Sequence, residues 1–285
     1  MAAITAEEMR ELVARALAED LGDGDVTSEA TVPAERTATA RIVQKAPGVV
    51  FGLDLVAETM AQAGVGEVET LVAEGEWFQD LPVEVLVARG SARAILAAER
   101  TALNFLGHLS GVATLTARYV EAVAGTKARI LDTRKTTPGL RRLEKAAVAA
   151  GGGTVRRIGL FDAFLIKENH IAAAGSIPKA VYAARKAHPE LSLEVEVRNL
   201  DETAYALGTG ADELLLDNMD PPTMRAAVEL RDANSRNGKP TLEASGNVNL
   251  ETVRAVAESG VDFISVGALT HSAPVLDFSL LLSAD

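Results

Sequence analysis

The sequence of 285 residues contains no cysteine, a single tryptophan and only 4% aromatic residues. Without cysteine, disulfide bonds, cysteine zinc sites and thiol nucleophiles are excluded, and the reducing cytoplasm, where we expect the protein, is compatible with this composition. No apolar run approaches the ~18–20 residues of a membrane span. Positive charge is also scarce, because 28 lysines and arginines face 40 acids and leave a net charge of −12. Such a protein binds nucleic acid or anionic membranes poorly, so any anion site must be a local basic concentration.

The first part of the chain predicts helices around a small sheet. Overall, 48% hydrophobic and 24% charged residues are typical of a globular protein, and the length predicts about two domains. Residues 6–20 predict an amphipathic helix rather than a signal peptide. Residues 37–98 alternate short apolar runs with turns, which indicates a small sheet. Residues 93–123 predict a long helix, in which Gly107 and Gly111 argue against one unbroken element.

From residue 126 the sequence repeats a strand, a loop and a helix. Short apolar runs separated by helical patterns predict parallel strands connected by helices. Six such units over about 140 residues fit either an α/β barrel or a doubly wound sheet, and the spacing alone does not separate the two. The predicted strands cover residues 128–131, 163–166, 193–197, 213–216, 241–244 and 262–266.

Polar or glycine residues lie within or directly after each of these six strands. In parallel α/β barrels the active site forms at the carboxyl ends of the strands. Six polar ends in succession therefore favour one shared site over loops that merely face water. The candidates are Thr133, Arg134, Lys135, Lys167, His170, Glu194, Glu196, Asp217, Glu243, Ser245, Gly246, Asn247, Gly267 and His271.

One segment carries a strong local excess of positive charge. Residues 134–167 contain eight lysines and arginines against two acids. Guanidinium groups suit carboxylates and phosphates, and the glycines at 151–153 leave room for close backbone approach. We therefore expect a small, highly anionic ligand. Three basic residues of the segment are instead expected on a solvated helix face, namely Arg141, Arg142 and Lys145.

Two glycine loops and two acids complete the predicted site. Ser245-Gly246-Asn247 follows one strand, and Gly267-Ala268 follows the last. Loops after the last two strands of such barrels commonly bind phosphate through backbone N–H groups, although a strand–glycine–helix junction is also an ordinary tight turn. Glu196 and Asp217 could act as acid and base, bind ribose or bind Mg²⁺, or they could simply neutralise the neighbouring lysines.

Long motifs spread over essentially the whole chain resemble those of one known family. They are Thr133–Gly139, Gly151–Gly153, Ile158–Leu160, Leu165–His170, Glu194–Val197, Leu215–Asn218, Leu242–Asn247 and Ser265–His271, with Glu99–Thr101, Asn104 and His108–Gly111. In this order they are similar to the quinolinate phosphoribosyltransferase family. The resemblance implies that quinolinate and phosphoribosyl pyrophosphate react, with Mg²⁺, to give nicotinate mononucleotide, pyrophosphate and CO₂, a step of NAD biosynthesis.

The resemblance also implies an architecture. An N-terminal α/β sandwich domain would cover residues 1–125 and be joined by the C-terminal segment 272–285. An irregular parallel α/β barrel of about six strands would cover residues 126–271. The chain would form a homodimer or a larger assembly, in which the N-terminal domain of one chain caps the barrel of another.

Residue roles follow from the same resemblance. Arg134, Arg157 and Lys167 would hold the quinolinate carboxylates together with Arg100 from the partner chain, and Lys135 would face the pyrophosphate. Glu196 and Asp217 would contact the ribose hydroxyls or Mg²⁺ and, with Lys135, form the predicted catalytic set. Ser245, Gly246, Gly267 and His271 would hold the 5′-phosphate. Further substrate-binding candidates are Thr133, His170 and Asn247.

The chain departs from the family at Arg156, where the family usually has a histidine that helps bind quinolinate. We predict that Arg156 replaces this histidine as a hydrogen-bond donor to a quinolinate carboxylate. The alternative is that its side chain points outward, toward the acidic surface. Two other functions remain open. One is a related phosphoribosyltransferase acting on another pyridine or carboxylate acceptor, and the other is a catalytically silent barrel that binds a phosphosugar.

Overall fold

The computed structural model describes residues 4–234 and 239–284 of the chain. The chain forms two compact units: unit 1 spans residues 1–117, 142–152 and 273–285, and unit 2 spans residues 118–141 and 153–272. The chain therefore passes from one unit to the other four times. Within the described ranges, none of the helices combines the length and hydropathy needed to cross a membrane.

Helices and strands alternate along both units. The helices are α1 (Ala6–Leu21), α2 (Val26–Thr31), α3 (Leu53–Gln62), α4 (Ala92–Ala122), α5 (Arg141–Ala150), α6 (Glu168–Ala174), α7 (Ile177–Ala187), α8 (Leu200–Leu207), α9 (Pro221–Asn234), α10 (Val253–Glu258) and α11 (Ala268–His271). The strands are β1 (Thr37–Gln44), β2 (Gly48–Val49), β3 (Glu67–Thr70), β4 (Trp77–Phe78), β5 (Val83–Ser91), β6 (Arg129–Leu131), β7 (Phe164–Ile166), β8 (Leu193–Val197), β9 (Glu213–Asp217), β10 (Thr241–Ser245), β11 (Phe263–Ser265) and β12 (Phe278–Ala284).

Unit 1 is built on a four-stranded antiparallel sheet in the order β12-β1-β5-β3. Alternate residues of β1, namely Ala38, Ala40 and Ile42, are fully buried, as expected for a strand with one face on the core. The last strand, β12, pairs with β1. The C-terminal segment is therefore part of the first unit's sheet.

The long helix α4 is continuous, so the predicted interruption at its glycines is wrong. A Cβ atom at Gly111 would lie 2.1 Å from the carbonyl oxygen of Pro274, and one at Gly107 would lie 3.0 Å from that of Leu276. Gly151 has the same role, because its Cβ would lie 2.3 Å from the Ala113 carbonyl oxygen. These three glycines admit close backbone packing within unit 1.

Lys145 contradicts the prediction of a solvated helix face. Its side chain is fully buried in α5, as is that of Glu144. The Glu144 carboxylate contacts His108, with Oε1 and Nε2 separated by 2.9 Å. The charge of Lys145 suggested exposure, but Lys145 lies on the buried side of α5 together with Leu143, Glu144, Ala147 and Val148.

Unit 2 is an irregular α/β barrel of six parallel strands in the order β6-β11-β10-β9-β8-β7. A parallel bridge between Leu131 and Thr154 extends the sheet beyond β6. The strand β8 shows why the barrel interior is polar. Leu193, Val195 and Val197 alternate with Glu194 and Glu196, and all five are buried. Since successive side chains of a strand point to opposite faces, the two glutamates share one face of β8.

Candidate functional site

The carboxyl ends of the strands bring most of the predicted site residues to one edge of the sheet. Ser245, the last residue of β10, pairs with Asp217 of β9 and with Ser265 of β11. Ser265 in turn pairs with Leu131, the last residue of β6. The residues that follow these strands therefore begin at the same level.

Two arginines at this edge lie close enough to influence each other. Burial lowers the pKa of Arg157, and the positive charge of Arg134 lowers it further. Arg157 donates to the carbonyl oxygen of Ala163 over 3.3 Å. The Nε atom of Arg134 is buried and has no hydrogen-bond partner among the described residues. Such an unpaired buried donor beside a second guanidinium calls for an anionic ligand.

Lys167 and Glu196 form an ion pair across the ends of β7 and β8. Their Nζ and Oε2 atoms are 3.3 Å apart, with half of the lysine side chain exposed. Residues 168–170, which follow Lys167, form the first turn of α6. There the Nδ1 atom of His170 accepts the backbone N–H of Lys167 over 3.0 Å. In this arrangement the proton of a neutral His170 ring resides on Nε2.

Lys135, Gly267 and His271 lie together after β6 and β11. A Cβ atom at Gly267 would be 3.1 Å from both the Cδ of Lys135 and the Nε2 of His271. The backbone of Lys135 is held on both sides, because its N–H donates to Thr133 Oγ1 over 3.1 Å and its carbonyl accepts from Thr270 Oγ1 over 2.8 Å. The exposed Lys135 side chain thus extends from a fixed backbone.

Asn218 links the loops after β9 and β10. Its backbone N–H donates to the Ser245 carbonyl over 2.8 Å, and its carboxamide oxygen accepts from the Asn247 side chain over 3.1 Å. Both asparagines have positive φ, 55° and 54°, and Gly246 has φ 100°. Asparagine tolerates this left-handed region better than most residues. Sequence reasoning gave Asn218 no role, although an asparagine directly after a strand is a signal for such a turn.

Arg156 lies in the interior of the barrel, bonded to three glutamates on three successive strands. Its guanidinium pairs with Glu194 of β8 at 3.3 Å, with Glu243 of β10 at 3.6 Å and with Glu213 of β9. It also lies 5.7 Å from the ring centre of Phe263 on β11. The sequence predicted Arg156 as a donor to quinolinate or as an outward-facing side chain, whereas the structure pairs it with these protein carboxylates. Only the pattern of glutamates inside buried strands hinted at such a partner.

The three glutamates form a buried acidic cluster. One carboxylate oxygen of each lies within 4.8 Å of the others, a spacing that could hold a metal ion. Burial raises the pKa of Glu194 well above its ordinary value, and Glu243 acts in the same direction. Burial also raises the pKa of Glu243, against the opposing charge of Arg156. Burial alone would lower the pKa of Arg156, but the three carboxylates raise it. The cluster already contains the cation that it requires.

Arg100 belongs to the other unit. It is an exposed residue of α4, and the part of α4 that contains it lies in unit 1. The other predicted site residues all belong to unit 2. Most of them lie in the groups described above at the carboxyl ends of the strands, whereas Arg156 lies with the three buried glutamates.

Comparisons with known proteins agree with this arrangement. Residues 25–110 match the N-terminal domain of quinolinate phosphoribosyl transferase, and residues 112–281 match its C-terminal domain. A carboxylating nicotinate-nucleotide pyrophosphorylase from Mycobacterium leprae is 45% identical over 277 residues, covering 95% of this chain and 96% of the relative. A probable enzyme of the same name from Bacillus subtilis is 38% identical, covering 96% and 93%.

A solved structure agrees over the same length. The nicotinate-nucleotide pyrophosphorylase from Francisella tularensis superposes with a TM-score of 0.91 at 38% identity and covers 98% of both chains. Sequence and fold therefore match over both units, and the chain belongs to the quinolinate phosphoribosyltransferase family.

Proposed function

We propose that this protein transfers the phosphoribosyl group of phosphoribosyl pyrophosphate to the ring nitrogen of quinolinate, with loss of CO₂. The products are nicotinate mononucleotide, pyrophosphate and CO₂, and the reaction belongs to NAD biosynthesis. Membership of the family over both domains supports this activity. The observation that carries it is the pair Arg134 and Arg157, two neighbouring guanidinium groups with an unpaired buried donor.

The arginine pair is the proposed site for the quinolinate carboxylates. Quinolinate is a dianion, and its two carboxylates need more than one fixed cation to be held in one orientation. Lys167, which Glu196 holds at 3.3 Å, is proposed as the third positive charge of this part of the site. Thr133 and His170 are proposed to border this part of the site. In the proposed homodimer, Arg100 of the second chain completes this quinolinate-binding part of the site.

The loops after the last strands are the proposed site for phosphoribosyl pyrophosphate. The backbone at Gly246 and Gly267 is proposed to face a 5′-phosphate, with Ser245, Asn247 and His271 as side-chain donors; Gly246 lies against Asn218, and Gly267 lies against Lys135 and His271. Lys135 lies beside Gly267 and reaches toward the pyrophosphate. Lys135 belongs to residues 134–167, which carry eight lysines and arginines against two acids in a chain of net charge −12, and such a local excess of positive charge suits a highly charged anionic substrate.

The proposed chemistry needs no covalent enzyme intermediate. The bond between ribose C1 and the pyrophosphate oxygen breaks, and the departing group takes the electron pair. The carboxylates of Glu196 and Asp217 stabilise the positive charge that develops on the ribose, and the quinolinate nitrogen forms the new bond to C1. The resulting pyridinium withdraws electrons, so the C2–carboxylate bond breaks, CO₂ leaves, and C2 accepts a proton.

Mg²⁺ is the proposed cofactor, held by Asp217 and Glu196 together with substrate oxygens. The donor chemistry fits, because this ion is usually bound through one or two carboxylates and phosphate oxygens. When bound it would neutralise charge on the pyrophosphate. The cluster of Glu194, Glu213 and Glu243 is less suited, since Arg156 already lies among its oxygens. A cytoplasmic location completes the proposal.

Pyrophosphate release with phosphoribosyl pyrophosphate and Mg²⁺ tests the activity. Release that requires quinolinate and yields CO₂ supports the proposal. Release only with another pyridine or carboxylate acceptor would indicate a related phosphoribosyltransferase, and tight substrate binding without release would indicate a silent phosphosugar-binding barrel.

A matched pair of variants tests the arginine site. Arg134→Gln should raise the quinolinate dissociation constant by about tenfold or more, the loss expected for a charged hydrogen bond. Arg129→Gln removes the same charge from the other end of β6 and should leave the constant unchanged.

A further inference from the structure

Arg156 faces the amino ends of the strands, away from the arginine pair at the carboxyl ends. It lines a cavity of about 560 Å³ with Glu213, Thr241 and Phe263, the first residues of β9, β10 and β11. Glu213 and Asp217 are the two ends of β9, so they lie roughly 13 Å apart at the usual rise of a strand. A guanidinium bonded to Glu213 is therefore directed away from the proposed substrate-binding edge.

The carboxylates around Arg156 need a cation at this position. The side chains of Glu194, Glu213 and Glu243 are 9%, 15% and 5% exposed, and that of Arg156 is 24% exposed. Three carboxylates this close repel one another strongly where water is largely excluded. The planar guanidinium can donate to several oxygens at once, which a lysine ammonium at one point cannot reproduce. One side chain thus holds β8, β9 and β10 at a common centre.

The same centre is connected to the proposed active site through β8. Glu194 and Glu196 lie two residues apart on one face of this strand, about 7 Å from each other along it. Glu196 holds Lys167 at 3.3 Å. A shift of β8 at Glu194 would therefore be transmitted to the Glu196–Lys167 pair.

We propose that Arg156 is a positioning residue, which fixes β8, β9 and β10 around one interior ion cluster and thereby places Glu196, and that it makes no contact with quinolinate. This inference rests on the proposed function for the role of Glu196. The ion cluster itself is independent of that function.

The test compares Arg156→Gln, Glu213→Gln and the double variant. The double variant loses one cation and one carboxylate together, so its cluster has the formal charge of the wild-type cluster. We expect Arg156→Gln to lower the thermal unfolding midpoint by about 5 °C or more and kcat by about tenfold. Its quinolinate dissociation constant, measured by calorimetry, should change by less than about threefold. Adding Glu213→Gln should recover a large part of both the unfolding midpoint and kcat.

Two results would overturn the proposal. One is a quinolinate dissociation constant that rises about tenfold in Arg156→Gln and does not recover in the double variant. That result would place Arg156 in contact with the substrate. The other is an unchanged unfolding midpoint in Arg156→Gln. If Arg156→Gln does not fold, folding of the double variant supports the proposal and its failure contradicts it. If the wild-type protein binds no quinolinate, the proposed function fails, and recovery of the unfolding midpoint still decides the role of Arg156.

Discussion

Asn247 donates its side-chain amide to the carboxamide oxygen of Asn218 over 3.1 Å, and both residues have a left-handed backbone. Each asparagine sits directly after a strand-end segment that we assign to substrate binding. Because non-glycine residues adopt this conformation at a cost, the contact stabilises a loop shape that the backbone alone disfavours.

The first prediction concerns this link. Asn218→Ala should raise the KM for phosphoribosyl pyrophosphate about tenfold, since it removes the acceptor that holds Asn247. It should also lower the free energy of unfolding by about 1–2 kcal/mol, because alanine adopts the left-handed backbone conformation at a cost. Asn218→Gly keeps the permitted backbone and removes only the side chain. It should therefore share the KM effect with a smaller loss of stability. Equal KM values for all three proteins would show that the link does not shape the phosphate loop.

A second prediction concerns Lys135, whose side chain is exposed beside Gly267 and His271. Lys135→Ala should lower kcat by about a hundredfold or more, because a fixed positive charge facing the leaving group is lost. The thermal unfolding midpoint should be nearly unchanged, since little buried surface is removed. Lys186→Ala, an exposed lysine on α7, is the matched control and should keep normal turnover. Near-normal kcat in Lys135→Ala would remove this residue from the site.

The third prediction concerns stability and pH at Asp262. Burial alone would raise the pKa of Asp262, but the Leu242 N–H, Lys127 and Arg231 lower it. A lowered folded-state pKa stabilises the protein above the unfolded value of about 3.9, and this stabilisation is lost as pH falls through the folded value. Asp262→Asn should cost about 3 kcal/mol at pH 7, because Arg231 is buried and loses the less exposed of its two carboxylate partners, at 2.7 Å.

Urea unfolding of Asp262→Asn and wild type at several pH values measures this effect. The difference between the two proteins should be constant near neutrality and should shrink below about pH 4. Asp232→Asn removes the other, more exposed acid on Arg231 and should cost less. A difference that does not depend on pH would exclude the charge of Asp262 as the cause.

The fourth prediction tests the proposed assembly. If Arg100 acts in the site of a second chain, mixing Arg100→Ala with Lys167→Ala should restore about a quarter of wild-type activity, because half of the dimers are mixed and each has one intact site. Mixing Lys135→Ala with Lys167→Ala is the control and should restore none, since both residues lie in one barrel. No recovery in the first mixture, after subunit exchange has been verified, would argue against a shared site.

The barrel strands were predictable because their apolar runs are short and end at polar residues. The predicted and observed bounds of β8 agree at 193–197, and the other five differ by one residue at one or both ends. The long motifs identified the family, and that identification is confirmed. The residues assigned to substrates and to Mg²⁺ stay predictions.

The contacts of charged side chains were less predictable, because a sequence pattern does not show which partners a fold brings together. Lys145 looks like a surface residue until α5 is packed into unit 1. Arg156 was considered only as a ligand contact or a surface residue, since Glu194, Glu213 and Glu243 are far from it in sequence. Gly107 and Gly111 looked like helix breakers, whereas their lack of a side chain serves the packing of residues 274–276.

The four crossings of the chain between the two units restrict how this protein can be divided. A cut near residue 125 would leave α5 with the barrel fragment, although residues 142–152, which include nearly all of α5, belong to unit 1 together with residues 273–285. The buried side chains of Leu143, Ala147 and Val148 would then be exposed to water. Neither half would be an exchangeable module, so a recombination event at any single point along the gene transfers an incomplete unit.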